Sequence, residues 1–244
     1  MGKSLVIKNV SFAANGIPPQ FQRLAWIGGT TKDSRDDGAE NGQYISSGIN
    51  MTTNIKLVVE FTLLNESGHG VMLPGSRYSS ATTMQVWAQP SAIKVQMAFA
   101  SGTTENVKTI SKSLWDGKKH IAEISKANIK IDGETYSWET TPNNSGQGPA
   151  PLYLDCSSYP NNLSEQQYCN SAAYDLVEGT RVPLTGGLKI HNVKIYTDYQ
   201  NEASLAMDAI PVKRISDNVV CFFNAVTGEY HERNNGSTPE YGTL

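Results

Sequence analysis

The chain has 244 residues, with 20 Lys and Arg against 23 Asp and Glu and a formal net charge of -3. Phosphate neutralisation needs clustered cations, and here the basic residues are scattered among acidic ones, so nucleic acid is not an expected partner. No run approaches the roughly 18 consecutive apolar residues of a spanning helix, so membrane insertion is not expected either.

Charged residues are 18% of the chain, and much of the rest is Ser, Thr, Asn, Gln and Gly, as in chains with many turns and short strands. Met1 to Val10 alternates apolar and polar residues and lacks the apolar core of a signal peptide. Three readings stay open: the chain acts where it is made, leaves by cell lysis, or has lost a leader. Cys156, Cys169 and Cys221 make an odd count, so a disulfide framework is not the organising principle. Cys156 and Cys169 flank one loop and are a candidate pair in an oxidising setting. Cys221, inside Val219-Val220-Cys221-Phe222-Phe223, reads as a small buried hydrophobe.

In chain order, residues 1–42 read as a short strand followed by a polar arm or loop with a plausible anchoring role. Asn15-Gly16-Ile17-Pro18-Pro19 is a turn by composition, and Gln20 to Gly42 carries few strand signals, which predicts an irregular connection. From Asn54 to Leu63 the residues Ile55, Leu57, Val59, Phe61 and Leu63 share one face, and Lys56, Val58, Glu60 and Thr62 the other. Period two predicts a strand with one buried side. Thr83 to Gln89 sets Met84, Val86 and Ala88 against Thr83, Gln85 and Trp87. Ala92 to Ala100 puts Ile93, Val95, Met97 and Phe99 inward, with Lys94 and Gln96 outward.

Ile129 to Tyr136 is a strand, an Asp132-Gly133 turn and a second strand, because Asp-Gly supplies the positive φ angles of a tight hairpin. Further strands are expected at Pro151 to Asp155, Leu188 to Tyr196, Ser204 to Val212 and Asn218 to Asn224. The alternation changes phase at His191-Asn192, which predicts a bulge. Asn162 to Leu176 is the single helical candidate, with Asn162 or Ser164 as its N-cap. Many short antiparallel strands with at most one helix predict an all-β fold of two packed sheets over residues 43–244.

The carboxyl half carries a recognisable pattern. Trp115-Asp116-Gly117-Lys118-Lys119-His120, followed by Ile129-Lys130-Ile131-Asp132-Gly133, resembles a signature of laminin-G-like and concanavalin-A-like domains. Lys194-Ile195-Tyr196, Asp208 to Val212 and Asn218 to Tyr230 resemble their late strands and closing segment. Tyr44 to Ile49 and Gly75-Ser76-Arg77 match early motifs of the same domains. The closing segment is similar to modules in bacteriophage virion proteins and in surface proteins of gut bacteria. The start, Lys3 to Lys8 with Phe12 to Ile17, resembles the amino terminus of proteins of phages and prophages of Bacteroides-type hosts. The resemblance runs from about Tyr44 to the end. It implies a jelly-roll sandwich, and for His120 a structural part in packing or hydrogen bonding.

Glycoside hydrolases share that fold, and retention needs two carboxyls roughly 5 Å apart. The Glu-x-Asp-x-x-Glu strand of jelly-roll glucanases is missing; Glu123, Asp132 and Glu134 straddle a turn and read as solvated charges. The Gly-x-Ser-x-Gly elbow of serine hydrolases is missing too. Many relatives bind calcium, but Asp33 to Gly38 departs from a calcium loop, with Arg35 at a ligand position and Tyr44 where a bidentate Glu belongs. His69, His120, His191 and His231 lack zinc-ligand spacing, so no metal or cofactor is expected.

A sugar-binding face presents an aromatic platform with polar groups beside it, because pyranose faces are apolar and their rims carry hydroxyls. Arg77 and Tyr78, in a loop, and Trp87, on the polar side of its strand, are the candidates. Trp115 and Trp138 are alternatives, and burial is the competing reading for each. The expectation is a non-catalytic structural or adhesion protein of a phage virion (head, tail, fibre or decoration). It would be made in the host cytoplasm, be homo-oligomeric (often trimeric), contact other virion proteins and bind a host surface glycan. The alternative is a secreted or surface carbohydrate-binding module of a gut bacterium; a glucanase or lyase is a third reading.

Overall fold

A computed structural model of the chain describes residues 16–28, 44–64, 71–79, 82–99, 106–139, 142, 147–155, 174–177, 180–183, 187–234 and 236–244. The first strands are Phe21–Gly28 (β1), Ser46–Thr52 (β2), Lys56–Leu63 (β3), Val71–Met72 (β4), Ser76–Ser79 (β5) and Thr82–Ala88 (β6). Ile93–Phe99 (β7), Asn106–Ile110 (β8), Lys119–Ile124 (β9), Ile129–Ile131 (β10), Glu134–Tyr136 (β11) and Gln147–Tyr153 (β12) follow. The last are Tyr174–Val177 (β13), Thr180–Pro183 (β14), Leu188–Tyr196 (β15), Leu205–Arg214 (β16), Val220–Asn224 (β17), Tyr230–His231 (β18) and Tyr241–Thr243 (β19). Among the described residues the helical part is one 3-10 turn, Glu202–Ser204.

The larger sheet runs β11-β10-β9-β3-β15-β1-β16-β17-β18, with β19 on β1. The smaller sheet runs β4-β6-β7-β8, with β5 also on β6. A bridge between Gly75 and Tyr153 joins it to the β12-β2 pair. One core fills the space between, with Leu57, Val59 and Phe61 of β3 packed in the same cluster as Met84, Val86, Val95 and Met97 of β6 and β7. This is the antiparallel two-sheet sandwich that the alternating residues predict, and the jelly roll that the resemblance implies. No helix among the described residues is long and apolar enough to cross a membrane.

Local chemistry accounts for the joints. Asp132 and Gly133 take φ of +54° and +83°, and Ile131 sits opposite Glu134 across the two-residue turn. In β15 the register against β3 shifts between Ile190 and Asn192, so His191 is the extra residue of the expected bulge. Its Nδ1–H donates to the Ala25 carbonyl at 2.8 Å, and its Nε2 accepts the Thr62 hydroxyl at 2.9 Å.

Two expectations are corrected. The segment Gln20 to Gly42 is not an irregular connection throughout, because Phe21–Gly28 forms β1, wedged between β15 and β16. β15 and β16 pair from Val193 and Ala209 onward and part beyond that point, which leaves room for β1. The strand hid because its buried residues, Phe21, Leu24 and Ile27, fall three apart, broken by an irregularity between Leu24 and Trp26. The helix expected at Asn162 to Leu176 ends in strand β13 from Tyr174; positions 162–173 lie outside the described residues, as do Cys156, Cys169, His69 and the loop from Asp33 to Gly38.

The outer side of the larger sheet holds a second small core of Ile17, Phe21, Ile210, Val212, Cys221 and Phe223. Strand β17 is therefore buried on both faces, which is why Val220 to Phe223 is a continuous apolar run. Burial pushes the Cys221 thiol up to about 12, in keeping with an inert buried hydrophobe.

The carboxyl-terminal segment ties the larger sheet to the β12-β2 pair. From β18 it crosses to the start of β2, where the Asn234 N–H donates to the Tyr44 carbonyl at 3.0 Å and His231 Nδ1–H to the Ser46 carbonyl at 3.0 Å. It then returns to the larger sheet as β19. At the crossing, fully buried Asp155 accepts the Ile45 N–H at 2.7 Å and faces Arg233 Nε at 3.5 Å.

Candidate functional site: the outer face of the smaller sheet

Strand β6 alternates strictly. Met84, Val86 and Ala88 are buried in the core, while Trp87 points the other way and is 36% exposed. Directly across the ladder stands Lys94 of β7, and on the far side of Trp87 is Met72 of β4. Lys94 in turn faces Thr109 of the outer strand β8, which is exposed. One rung of the sheet thus lines up Met72, Trp87, Lys94 and Thr109.

The next rung pairs Gln85 with Gln96. Gln85 is buried although it lies on the outer side, and so are Ala98 and Tyr153 of that side. Among the described side chains of this face, Trp87 and Thr109 are the exposed ones, with Lys94 half-buried between them. Arg77 and Tyr78, expected in a loop, belong to strand β5, with Arg77 in register with Thr83. Their side chains lie outside the described residues. The rung adjoining Trp87 also contains Lys94, which sequence reasoning left out; counting charges segment by segment would have marked it.

The two alternative tryptophans are structural. Trp138 is 8% exposed and its indole N–H donates to the Ser125 carbonyl at 2.9 Å. Trp115 packs on the core and its indole N–H donates to the Gln89 carbonyl at 3.1 Å. Trp26 has Lys189 Nζ 4.7 Å from its ring centroid, and the backbone of Gly242 lies close to the same indole.

His120 has the hydrogen-bonding role implied for it, with Nδ1 3.0 Å from Asp132 Oδ2 and Nε2 2.9 Å from Asp116 Oδ1. The Lys118 N–H and His120 hold the Asp116 carboxyl below its ordinary range. Asp132 is thus not a simple solvated turn charge; Glu123, paired with Lys130 at 3.7 Å, fits that description better. Among the described residues no group of three or more His, Cys, Asp or Glu side chains could hold a metal ion.

No family model and no curated protein matches the chain. Among solved structures it is similar to the galectin LEC-6 of Caenorhabditis elegans, with 9% identity, 63% of this chain and 95% of that one covered, and a TM-score of 0.32. It is also similar to domains LG4-5 of the mouse laminin alpha1 chain, with 10% identity, 88% of this chain covered and a TM-score of 0.44; it spans half of that fragment. A heptameric SAP-like pentraxin from Limulus polyphemus matches with 4% identity, 75% of this chain and 78% of that one, and a TM-score of 0.41. The two-sheet architecture stands on the strand pairings themselves, and at TM-scores below 0.5 these likenesses add nothing about a ligand.

Proposed function

We propose that the chain is a non-catalytic carbohydrate-binding or adhesion domain that takes a sugar on Trp87. The observation that carries this is an indole exposed on a strand of the smaller sheet, with Lys94 beside it and Thr109 one strand further along the same rung. An apolar ring with hydrogen-bonding groups on one side of it matches a pyranose, which has an apolar face and a hydroxylated rim. The non-catalytic part draws support from composition: strands β4 to β8 contain no Asp or Glu, whereas glycoside hydrolysis needs two carboxyls flanking the scissile bond.

A glycan array probed with the wild-type chain and with Trp87→Ala tests the binding reading. Binding that is lost in the variant is the expected result; a blank array, or a variant that binds as well as wild type, overturns it. Turnover in a polysaccharide screen would overturn the non-catalytic part. The finer reading, a homo-oligomeric component displayed on a phage virion, is supported by the resemblance of the closing segment, Asp208 to Tyr230. Neighbouring capsid and tail genes are expected under it; neighbouring polysaccharide-utilisation genes would point instead to a secreted or surface module.

A further inference from the structure

Building on the reading of Trp87 as a sugar platform, we infer that its ligand is an anionic glycan, carrying a carboxylate or a sulfate ester that Lys94 recognises. The inference comes from how the two sheets distribute charge. On the larger sheet four lysines have a carboxylate partner, while Lys189 and Lys213 lie over the rings of Trp26 and Tyr241. Lys119 pairs with Glu60 at 2.7 Å, Lys194 with Asp208 at 3.6 Å, Lys130 with Glu123 at 3.7 Å, and Lys56 with Glu202.

The smaller sheet is built differently. Its strands β4 to β8 contain Arg77, Lys94 and Lys108 and no acidic residue at all. Lys108 finds Glu139 at 3.6 Å, beyond those strands. Lys94 has no carboxylate partner among the described residues, and its neighbours across the ladder are Trp87 and Thr109. A chain of net charge -3 repels polyanions at long range, so an uncompensated ammonium acts only within a Debye length of roughly 8–10 Å. A sugar stacked on the adjacent indole would bring its substituents inside that distance. The ammonium supplies three donors and a point charge, which suits a carboxylate or a sulfate alike. Thr109 adds a hydroxyl that both donates and accepts.

The test is calorimetric titration of the intact chain with three matched sets of oligosaccharides: neutral, uronic-acid-bearing and sulfate-bearing. Wild type, Lys94→Gln, Lys94→Arg and Trp87→Ala are compared, with thermal melts to establish that each variant is folded. At least one acidic set is expected to bind wild type about tenfold more tightly than the neutral set, the scale of a hydrogen bond to a charged group. Which set shows the preference distinguishes carboxylate from sulfate. Lys94→Gln, which keeps a hydrogen-bonding group at the position and removes its charge, is expected to bring the acidic and neutral sets to the same affinity, and Lys94→Arg to keep the preference. Neutral sugars binding as tightly as both acidic sets, or a preference that survives Lys94→Gln, would overturn the anionic ligand and leave the platform standing. Failure of every set to bind, or Trp87→Ala binding as well as wild type, would remove the platform and this inference with it.

Discussion

His120 Nδ1 lies 3.0 Å from one carboxylate oxygen of Asp132, while the other oxygen accepts the Ile121 N–H at 3.0 Å. A residue of the β10–β11 turn thereby grips the strand β9 on which His120 sits. Burial pushes the Asp132 carboxyl upward, but the Ile121 N–H and His120 outweigh it and hold the group below the ordinary carboxylate range.

Replacing Asp132 separates the parts of this grip. Asp132→Ala leaves the buried His120 ring short of a partner and puts a Cβ residue without a local hydrogen bond at φ +54°, at a cost of about 1–2 kcal/mol given the side chain's partial exposure. Asp132→Asn keeps the acceptor for Ile121 and tolerates the left-handed backbone, so it costs under about 1 kcal/mol. Urea denaturation of the two variants measures the difference; equal midpoints would contradict the grip.

Arg233 offsets the charge of a carboxylate that has no contact with water. Burial raises the Asp155 carboxyl despite the nearby guanidinium. Arg233→Met strands that charge and is expected to cost about 3 kcal/mol at neutral pH. The gap from wild type narrows on acidification, because protonating Asp155 removes the stranded charge. A gap that is constant between pH 7 and pH 5 would contradict this.

Gly242 is fixed by Trp26. A Cβ built there would lie 2.2 Å from the indole Nε1, so β19 and the ring cannot both keep their places. Gly242→Ala is expected to lower stability by about 1–3 kcal/mol and to alter tryptophan fluorescence. A variant matching wild type in both would show that β19 does not hold Trp26.

Two histidines make stability fall in mild acid. Burial holds His191 and His231 below the usual histidine value. His231 Nε2 is buried without a hydrogen-bond partner among the described residues, so a proton added there has nothing to bond. Below about pH 6.5 the unfolded chain takes up protons that the folded chain refuses, and stability falls as the pH drops. The Tm of wild type should decline from pH 7.5 to pH 5.5, and the double variant His191→Gln, His231→Gln should decline less steeply. Parallel slopes would assign the effect elsewhere.

Where one face of a strand meets the core and the other meets water, the local order of residues determined the structure. Leu57, Val59 and Phe61, then Met84 and Val86, then Val95 and Met97 alternate with polar neighbours, and that alternation alone assigns their faces. The Asp132-Gly133 turn and the bulge at His191 were legible for a like reason, since both are backbone features that a few adjacent residues dictate. Trp87 was legible as outward-facing by the same parity.

Tertiary structure decided what depends on residues distant in sequence. β1 is a strand because β15 and β16 part to admit it, and its own residues lack the period that would announce this. Asp155 is paired because residues 231–234 return across the end of the β12-β2 pair, and Trp115 and Trp138 are spent on backbone carbonyls that folding brings to them. Side-chain parity is set by the geometry of one extended chain. Which strand lies alongside, and so which charge is left without a counter-charge, is set by long-range pairing.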